Sequence, residues 1–266
     1  MIEAFFKLKK YRKYHNLICL VSIHFLMISC TNKEFVPAIV LTFDDDHVES
    51  WYENRSVFNK YNAKVTFFIT RPHKLSNTQI DMLLQLQAEG HEIACHTLNH
   101  FNAINFIDSI GIEGYLKQEV DSCLKVLKSQ GFNIYSFAYP FGSTNQELID
   151  SLKTRFSFQR GSIYNKTNIL YRKKRPLSEW NNIYITSGNQ FYSQAMGIDE
   201  IYKNSMTLIK PGIDRCKKDS IALLLYAHEI VVNTQKNYRI DINKLDSILS
   251  YADEIGVKFL RCQDIH

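Results

Sequence analysis

The chain of 266 residues is short of turn-forming residues and of cysteine, with ten glycines, five prolines and six cysteines. So little glycine and proline excludes a collagen-like or low-complexity chain. A composition of 45% hydrophobic and 22% charged residues excludes intrinsic disorder. Six dispersed cysteines are too few for a disulfide scaffold. The apolar run Leu17–Ile28 is shorter than the ~20 residues that span a bilayer, and His24 interrupts it. Internal repeats are missing, and so is a field of one charge. Five of the 32 basic residues and one of the 27 acidic ones fall in the first 29 positions, so the rest carries 27 bases against 26 acids. A near-neutral body has no basic surface to neutralise phosphates, which argues against a nucleic-acid partner. The length allows one large domain or two small ones.

What is present begins with a basic start (Lys7, Lys9, Lys10, Arg12, Lys13), a short apolar stretch, and then Ser29 and Cys30. This is the pattern of a bacterial secretory signal, and Met27-Ile28-Ser29-Cys30 resembles a lipobox, with Met where Leu is usual. Residues 1–29 are therefore read as a lipoprotein signal peptide, 30–36 as a short linker after a lipidated Cys30, and 37–266 as the functional domain. Two acyl chains on Cys30 would hold the protein stably at a membrane. The expected location is the cell envelope, at a periplasmic or outer-membrane face. Cys95, Cys123, Cys216 and Cys262 remain in the mature chain. Buried free thiols are the simpler expectation for them, and sequence assigns no pairing.

The body alternates strands and helices. The run Ala38–Phe43 reads as a buried strand. Further strands are expected at Lys64–Thr70, His91–Cys95, Tyr135–Tyr139, Phe156–Arg160, Ile183–Thr186, Ile221–Tyr226 and Val257–Leu260. Helices are expected at Val48–Lys60, Asn77–Glu89, Glu113–Ser129, Gln146–Lys153, Asp199–Leu208 and Ile242–Glu254. Such alternation predicts a parallel sheet, doubly wound or closed, and length and strand count favour an imperfect barrel in one domain. In both architectures ligands bind at the carboxyl ends of strands.

Chemistry-bearing residues follow four of these strands: Asp44-Asp45-Asp46-His47, His96-Thr97-Leu98-Asn99-His100, Pro140-Phe141-Gly142 and Ala227-His228-Glu229. His96 and His100, four apart on one turn, can share a metal ion. Imidazole with carboxylate suits zinc or a similar divalent ion. One aspartate would complete a two-His, one-Asp set with positions left open, and a second could act as general base. A metal ion there would lower the pKa of a water towards neutrality. Non-haem iron oxygenases use a similar triad, but they usually take His-x-Asp from one strand of an all-β barrel.

These residues resemble the NodB-type polysaccharide deacetylases of carbohydrate esterase family 4. Leu41–Asp45 resembles the family's TFDD motif, Val65–Phe68 its ATFF strand, and Gly90–His100 its GHEI…H[ST]xxH motif. Phe137–Gly142 falls at its FRPPYG motif and Leu224–His228 at its late Leu-x-x-His. The resemblance spans residues 41–228 and implies a distorted (β/α) barrel with fewer than eight repeats. It implies metal-dependent hydrolysis of an acetyl group, usually the N-acetyl of a hexosamine in a glycan. By position it assigns Asp44 as base, Asp45, His96 and His100 as metal ligands, and His228 as acid. The Phe141 N–H becomes an oxyanion donor, and Tyr139 and Pro140 substrate contacts. One divalent ion is implied, zinc first, with cobalt, nickel or iron as alternatives; the partner is an acetylated glycan, met by a monomer.

Two departures stand out. The family's motif-three arginine, which orients the base, is Ala138 here; Arg160 is the favoured replacement, ahead of Arg71 and Arg175. The Asp-rich fourth motif is not visible, and Glu179-Trp180 is the candidate, with Trp180 lining a groove. Asp46 reads as a turn or cap residue, and Cys95 and His91 as packing residues. Two other functions are weighed: a catalytically weak glycan-binding lipoprotein that lost its arginine, and an O-acetyl esterase or cyclic-amide hydrolase.

Overall fold

In the computed structural model, residues 36–163, 174–233 and 237–265 are described. The expected signal peptide, Cys30 and all of the expected linker but Val36 lie outside them. Strand β1 (Ala38–Asp45) is buried from Ala38 to Asp44 because it is paired on both edges. Around it run β2 (Thr66–Ile69), β3 (Glu92–Cys95), β4 (Ser136–Ala138), β5 (Phe158–Ile163), β6 (Tyr184–Ile185), β7 (Tyr192–Gly197) and β8 (Ala222–Ala227). β9 (Glu229–Val231), β10 (Arg239–Asp241) and β11 (Lys258–Leu260) follow. Seven strands, in the order β1-β2-β3-β4-β5-β7-β8, are parallel, and β8 pairs back onto β1 to close the barrel.

Two short strands complete the lower edge. β11 pairs with residues 38–40 of β1, below the point where β2 takes over at Thr42, and β6 pairs antiparallel with the start of β8. This is the distorted barrel of fewer than eight repeats, in one domain. No described helix is long and apolar enough to cross a membrane.

Strand alternation divides the core in two. Ile39, Leu41, Phe43, Phe67 and Ile93 pack outward with the helices. Val40, Phe68, Ala94, Ala138, Ala195, Ala222, Leu224 and Tyr226 pack together as a second cluster, within the barrel. The four alanines leave space there, and Arg160 occupies it fully buried, between the rings of Phe68 and Tyr226, each 5.1 Å from its guanidinium carbon.

Several expected elements are corrected. The helix expected over Val48–Lys60 is two short helices, Val48–Glu53 and Ser56–Lys60. The helix expected over Glu113–Ser129 starts just after a kink at Gly111 (φ 74°), which separates it from a helix beginning at Ala103 that was not expected, and it passes through a π-helical stretch, Leu116–Asp121. The helix expected over Asp199–Leu208 lies at Met206–Asp219 instead, where Pro211-Gly212 reads in sequence as a breaker. Asp199 is therefore free to end a connection after β7, a strand whose mixed pattern YSQAMG gives no period-two signal. β9 and β10, three residues each, are likewise invisible to pattern reading.

Candidate active site

Each chemical group sits where its strand ends. Asp44 and Asp45 close β1, and Asp45 takes a left-handed φ of 85°. His96 follows β3, and the chain then turns through Thr97 (φ 68°) and His100 (φ 64°). These are costly conformations for residues with a Cβ, so the loop must be held. Thr97 Oγ1 accepts the His100 N–H at 3.1 Å. The buried Glu119 accepts from Asn99 N–H at 2.8 Å and Asn99 Nδ2 at 2.7 Å, while its carbonyl takes the Leu98 N–H. Glu119 lies on the π-helical stretch, an irregularity that often marks functional regions.

One ligand atom each from Asp45, His96 and His100 lie within 4.8 Å of one another. Asp45 Oδ1 is 3.2 Å from His100 Nε2 and 3.7 Å from His96 Nε2. His96 Nδ1 lies 2.8 Å from the Ala138 carbonyl, which can only accept, so Nδ1 carries the proton and Nε2 presents a lone pair to the cluster. A fixed tautomer of this kind is what a metal-binding imidazole needs. Burial brings the His96 pKa down to about 4, against the opposing pull of Asp44, so the ring is neutral. Burial alone would raise the Asp45 carboxyl, but the His100 hydrogen bond and the surrounding imidazoles hold it well below its ordinary value. The three donors therefore fit a divalent ion such as zinc in donor type and in spacing.

Beside them Asp44 is only 4% exposed, and its Oδ2 lies 2.5 Å from Arg160 Nη2. Its other oxygen, Oδ1, has no hydrogen-bond partner among the described residues. Arg160 pairs in register with Ala138 across β4 and β5, so the guanidinium enters the same barrel layer from the neighbouring strand. The other two arginines are engaged elsewhere, Arg71 with Asp46 at 3.5 Å and Arg175 over the Trp180 ring.

His228 follows β8. Its Nδ1 lies 2.6 Å from Asp199 Oδ2 and its backbone N–H donates to Asp199 Oδ1 at 3.1 Å. Burial disfavours the imidazolium, but the Asp199 hydrogen bond and charge, with Asp44 and Asp45 nearby, outweigh it and raise the pKa to about 9. Burial also pushes the Asp199 carboxyl up. With the imidazole favoured in its protonated form, Nδ1–H donates to Asp199 Oδ2, and the carboxylate accepts on both oxygens. Trp51 Nε1 donates to the His228 carbonyl at 2.8 Å and fixes the backbone.

A cavity of about 620 Å³ collects these groups: Asp44, Asp45, His96 and His100 line it with His228, and so do Tyr139 and Phe141. Gly142 shapes the turn under Phe141. Its φ is 65°, and a Cβ there would lie 2.5 Å from Ser162 Oγ, so no other residue fits without displacement. Two expected contacts are not in the lining. Pro140 is buried behind the turn, and Trp180 packs on the core under Arg175. The Trp180 carbonyl accepts from Arg215 Nη1 at 3.3 Å, on the helix Met206–Asp219. Asp199, Glu119 and the cavity tyrosines Tyr202, Tyr226 and Tyr238 were not singled out from sequence. An acidic residue directly after a strand would have flagged Asp199, had β7 been legible.

The polysaccharide deacetylase family profile matches residues 32–155. A bifunctional xylanase/deacetylase of Pseudobutyrivibrio xylanivorans is 28% identical over 138 residues, 52% of this chain and 22% of that protein, so the chain spans about a fifth of that relative. The catalytic domain of a peptidoglycan N-acetylglucosamine deacetylase from Eubacterium rectale shares the fold at 18% identity. Its TM-score is 0.53, over 86% of this chain and 90% of that one. A family 4 acetyl xylan esterase from Clostridium thermocellum, in complex with a cobalt ion, is 15% identical with a TM-score of 0.50, over 86% and 89% of the two chains. The matched profile covers a little under half of the chain, and the barrel with the motif residues gathered at its rim makes the chain similar to the NodB-type polysaccharide deacetylases, carbohydrate esterase family 4.

Proposed function

We propose that the chain is a metal-dependent hydrolase that removes acetyl groups, N-acetyl above all, from a cell-surface or extracellular polysaccharide. One observation supports this most. A single cavity holds a carboxylate with an unpaired oxygen, an imidazole biased towards its protonated form, and a cluster of three donors. Asp45, His96 and His100 would hold the ion, zinc first. Bound there, it supplies positive charge to polarise an acyl oxygen and acidify water.

The chain's own residues supply the rest. Arg160 holds Asp44 Oδ2, and Oδ1 takes a proton from water as the water oxygen bonds to the acetyl carbon. The Phe141 N–H is a donor for the oxygen that gains charge. His228 passes its proton to nitrogen as the C–N bond breaks, giving acetate and a free amine. Asp199 keeps that proton in place beforehand. The named activities of the relatives, a xylanase/deacetylase and a peptidoglycan N-acetylglucosamine deacetylase, support a glycan substrate. A second reading, removal of O-acetyl groups, is favoured by the acetyl xylan esterase likeness. The catalytically weak binding protein loses its motive, since Arg160 supplies the guanidinium that Ala138 lacks.

Acetate release from acetylated chitin oligosaccharides and peptidoglycan tests the reading, with zinc-loaded and chelated protein compared. Asp44→Asn is expected to keep zinc and lose turnover; an Asp44→Asn protein of full activity overturns the assignment. His228→Ala separates amide from ester, because an ester leaving group needs the proton less. We also propose anchoring through a diacylated Cys30, supported by the sequence Met27–Cys30. Labelled palmitate should enter the wild type and not Cys30→Ser.

A further inference from the structure

Eight large apolar or aromatic side chains are exposed among the described residues, and several follow directly on site elements. Phe141 is 68% exposed, Val232, just after β9, is 65% exposed, and Tyr238 is 56% exposed. Phe141 and Tyr238 both line the cavity. Phe141 packs its ring on His100 at 4.7 Å, and Tyr238 packs on His228 at 5.4 Å. One open aromatic face thus borders the donor cluster and another borders the acid.

Tyr238 is not a loose surface ring. It stands edge-on to Tyr202 at 6.0 Å. The residue before it, Asn237, takes a left-handed φ of 81° and accepts the Ile201 N–H at 3.1 Å. The residue after it, Arg239, opens β10 and pairs with Glu229 at 2.6 Å, across from β9. A ring fixed on three sides and left open on the fourth, at a cavity mouth, has the geometry of a binding platform. Glu229 and Arg239 cancel each other's charge beside it, so the platform selects an uncharged partner with hydroxyl groups rather than an acidic or basic one.

We infer that Tyr238 is a specificity-determining residue whose ring stacks on the apolar face of an uncharged pyranose, the sugar bearing the acetamido group, with Asn237, Glu229 and Arg239 at its hydroxyls. This rests on the proposed function and fills the substrate-contact role that Trp180 does not take. A sugar ring stacked there lies on the side of His228, where its nitrogen must be to receive the proton.

The test uses zinc-loaded full chain, Tyr238→Ala, Tyr238→Phe and Tyr238→Trp, with melting curves to confirm folding. kcat and KM are measured on penta-N-acetylchitopentaose and on 4-nitrophenyl acetate. Binding of the pentasaccharide is measured by calorimetry in the Asp44→Asn background. Tyr238→Ala is expected to raise KM for the pentasaccharide about 10-fold, the scale of one aromatic contact. The pentasaccharide-to-ester preference should fall by the same factor, calorimetric affinity should fall in parallel, and Phe or Trp should restore all three. Unchanged sugar affinity in Tyr238→Ala overturns the inference. So does an equal loss on both substrates with a shifted pH profile, which would mean that the ring acts through His228. If the wild type releases no acetate from either substrate, the proposed function fails, and the calorimetric comparison alone decides the role of Tyr238.

Discussion

Moving one guanidinium between two paired positions tests the site most sharply. Arg160 and Asp44 are both buried, 0% and 5% exposed in their side chains, and 2.5 Å apart. In Arg160→Met, a change of similar length without charge, Asp44 keeps its burial and loses its partner. Stranding one member of a buried pair costs about 3–5 kcal/mol of stability when the remaining charge is retained. Activity at neutral pH should fall about 100-fold, the scale of a mispositioned catalytic group.

The complementary change is Ala138→Arg in the same background. Ala138 pairs with Arg160 across adjacent strands and packs in the same inner cluster, and neighbouring strands are only about 4.8 Å apart. Ala138→Arg/Arg160→Ala should therefore recover both activity at neutral pH and most of the denaturation midpoint. Urea unfolding followed by circular dichroism, with acetate release at neutral pH, reads both. Arg160→Met with wild-type activity would refute the claim that this arginine positions Asp44.

Other expectations follow from single contacts. His96→Ala and Asp45→Ala should lose zinc and turnover together, read by elemental analysis and acetate release, because either removes one of three donors. In Asp199→Asn, burial of His228 is left without the carboxylate that outweighs it, so the imidazole pKa falls from about 9. The acid must be protonated to act, so the alkaline limb of kcat/KM should move down, by about 1–3 units; an unmoved limb would exclude the assigned acid. Glu119→Ala should weaken zinc binding about tenfold, read with a chelating dye, because outer supports of a ligand loop act on that scale and Asn99 loses both bonds.

Much of this site could be read from the chain because its residues directly follow strands with strong signals. The run Ala38–Phe43 is apolar apart from Thr42, so the aspartates after it had to lie at an edge. His96 and His100 follow a strand whose Gly90 boundary is plain. What stayed hidden depended on weaker local patterns. β7 alternates polar, small and apolar residues and ends in glycine, so Asp199 looked like a helix start. Glu119 sits in the middle of a helical sequence, and only the π-helical turn aims it at Asn99. Trp180 is the aromatic next to the expected fourth motif, while Tyr238 depends on a three-residue strand pair that no window can detect. Arg160 was reachable because it ends an expected strand, but its register with Ala138 is a tertiary fact.

Asp45, Thr97, His100 and Phe141 share one property: their backbones lie in the left-handed region. Each such residue stores about 1–3 kcal/mol that neighbouring contacts must repay. The ladder beneath, closed by β1 on β8, carries no comparable load. The two layers should consequently give way separately. With the donor cluster emptied by a chelator, amide protons at residues 97–100 should exchange sooner while those of β1 and β8 keep their protection. The molecule would behave as a sprung rim on a rigid cup, in which relaxation of the rim is a first, reversible step well short of unfolding.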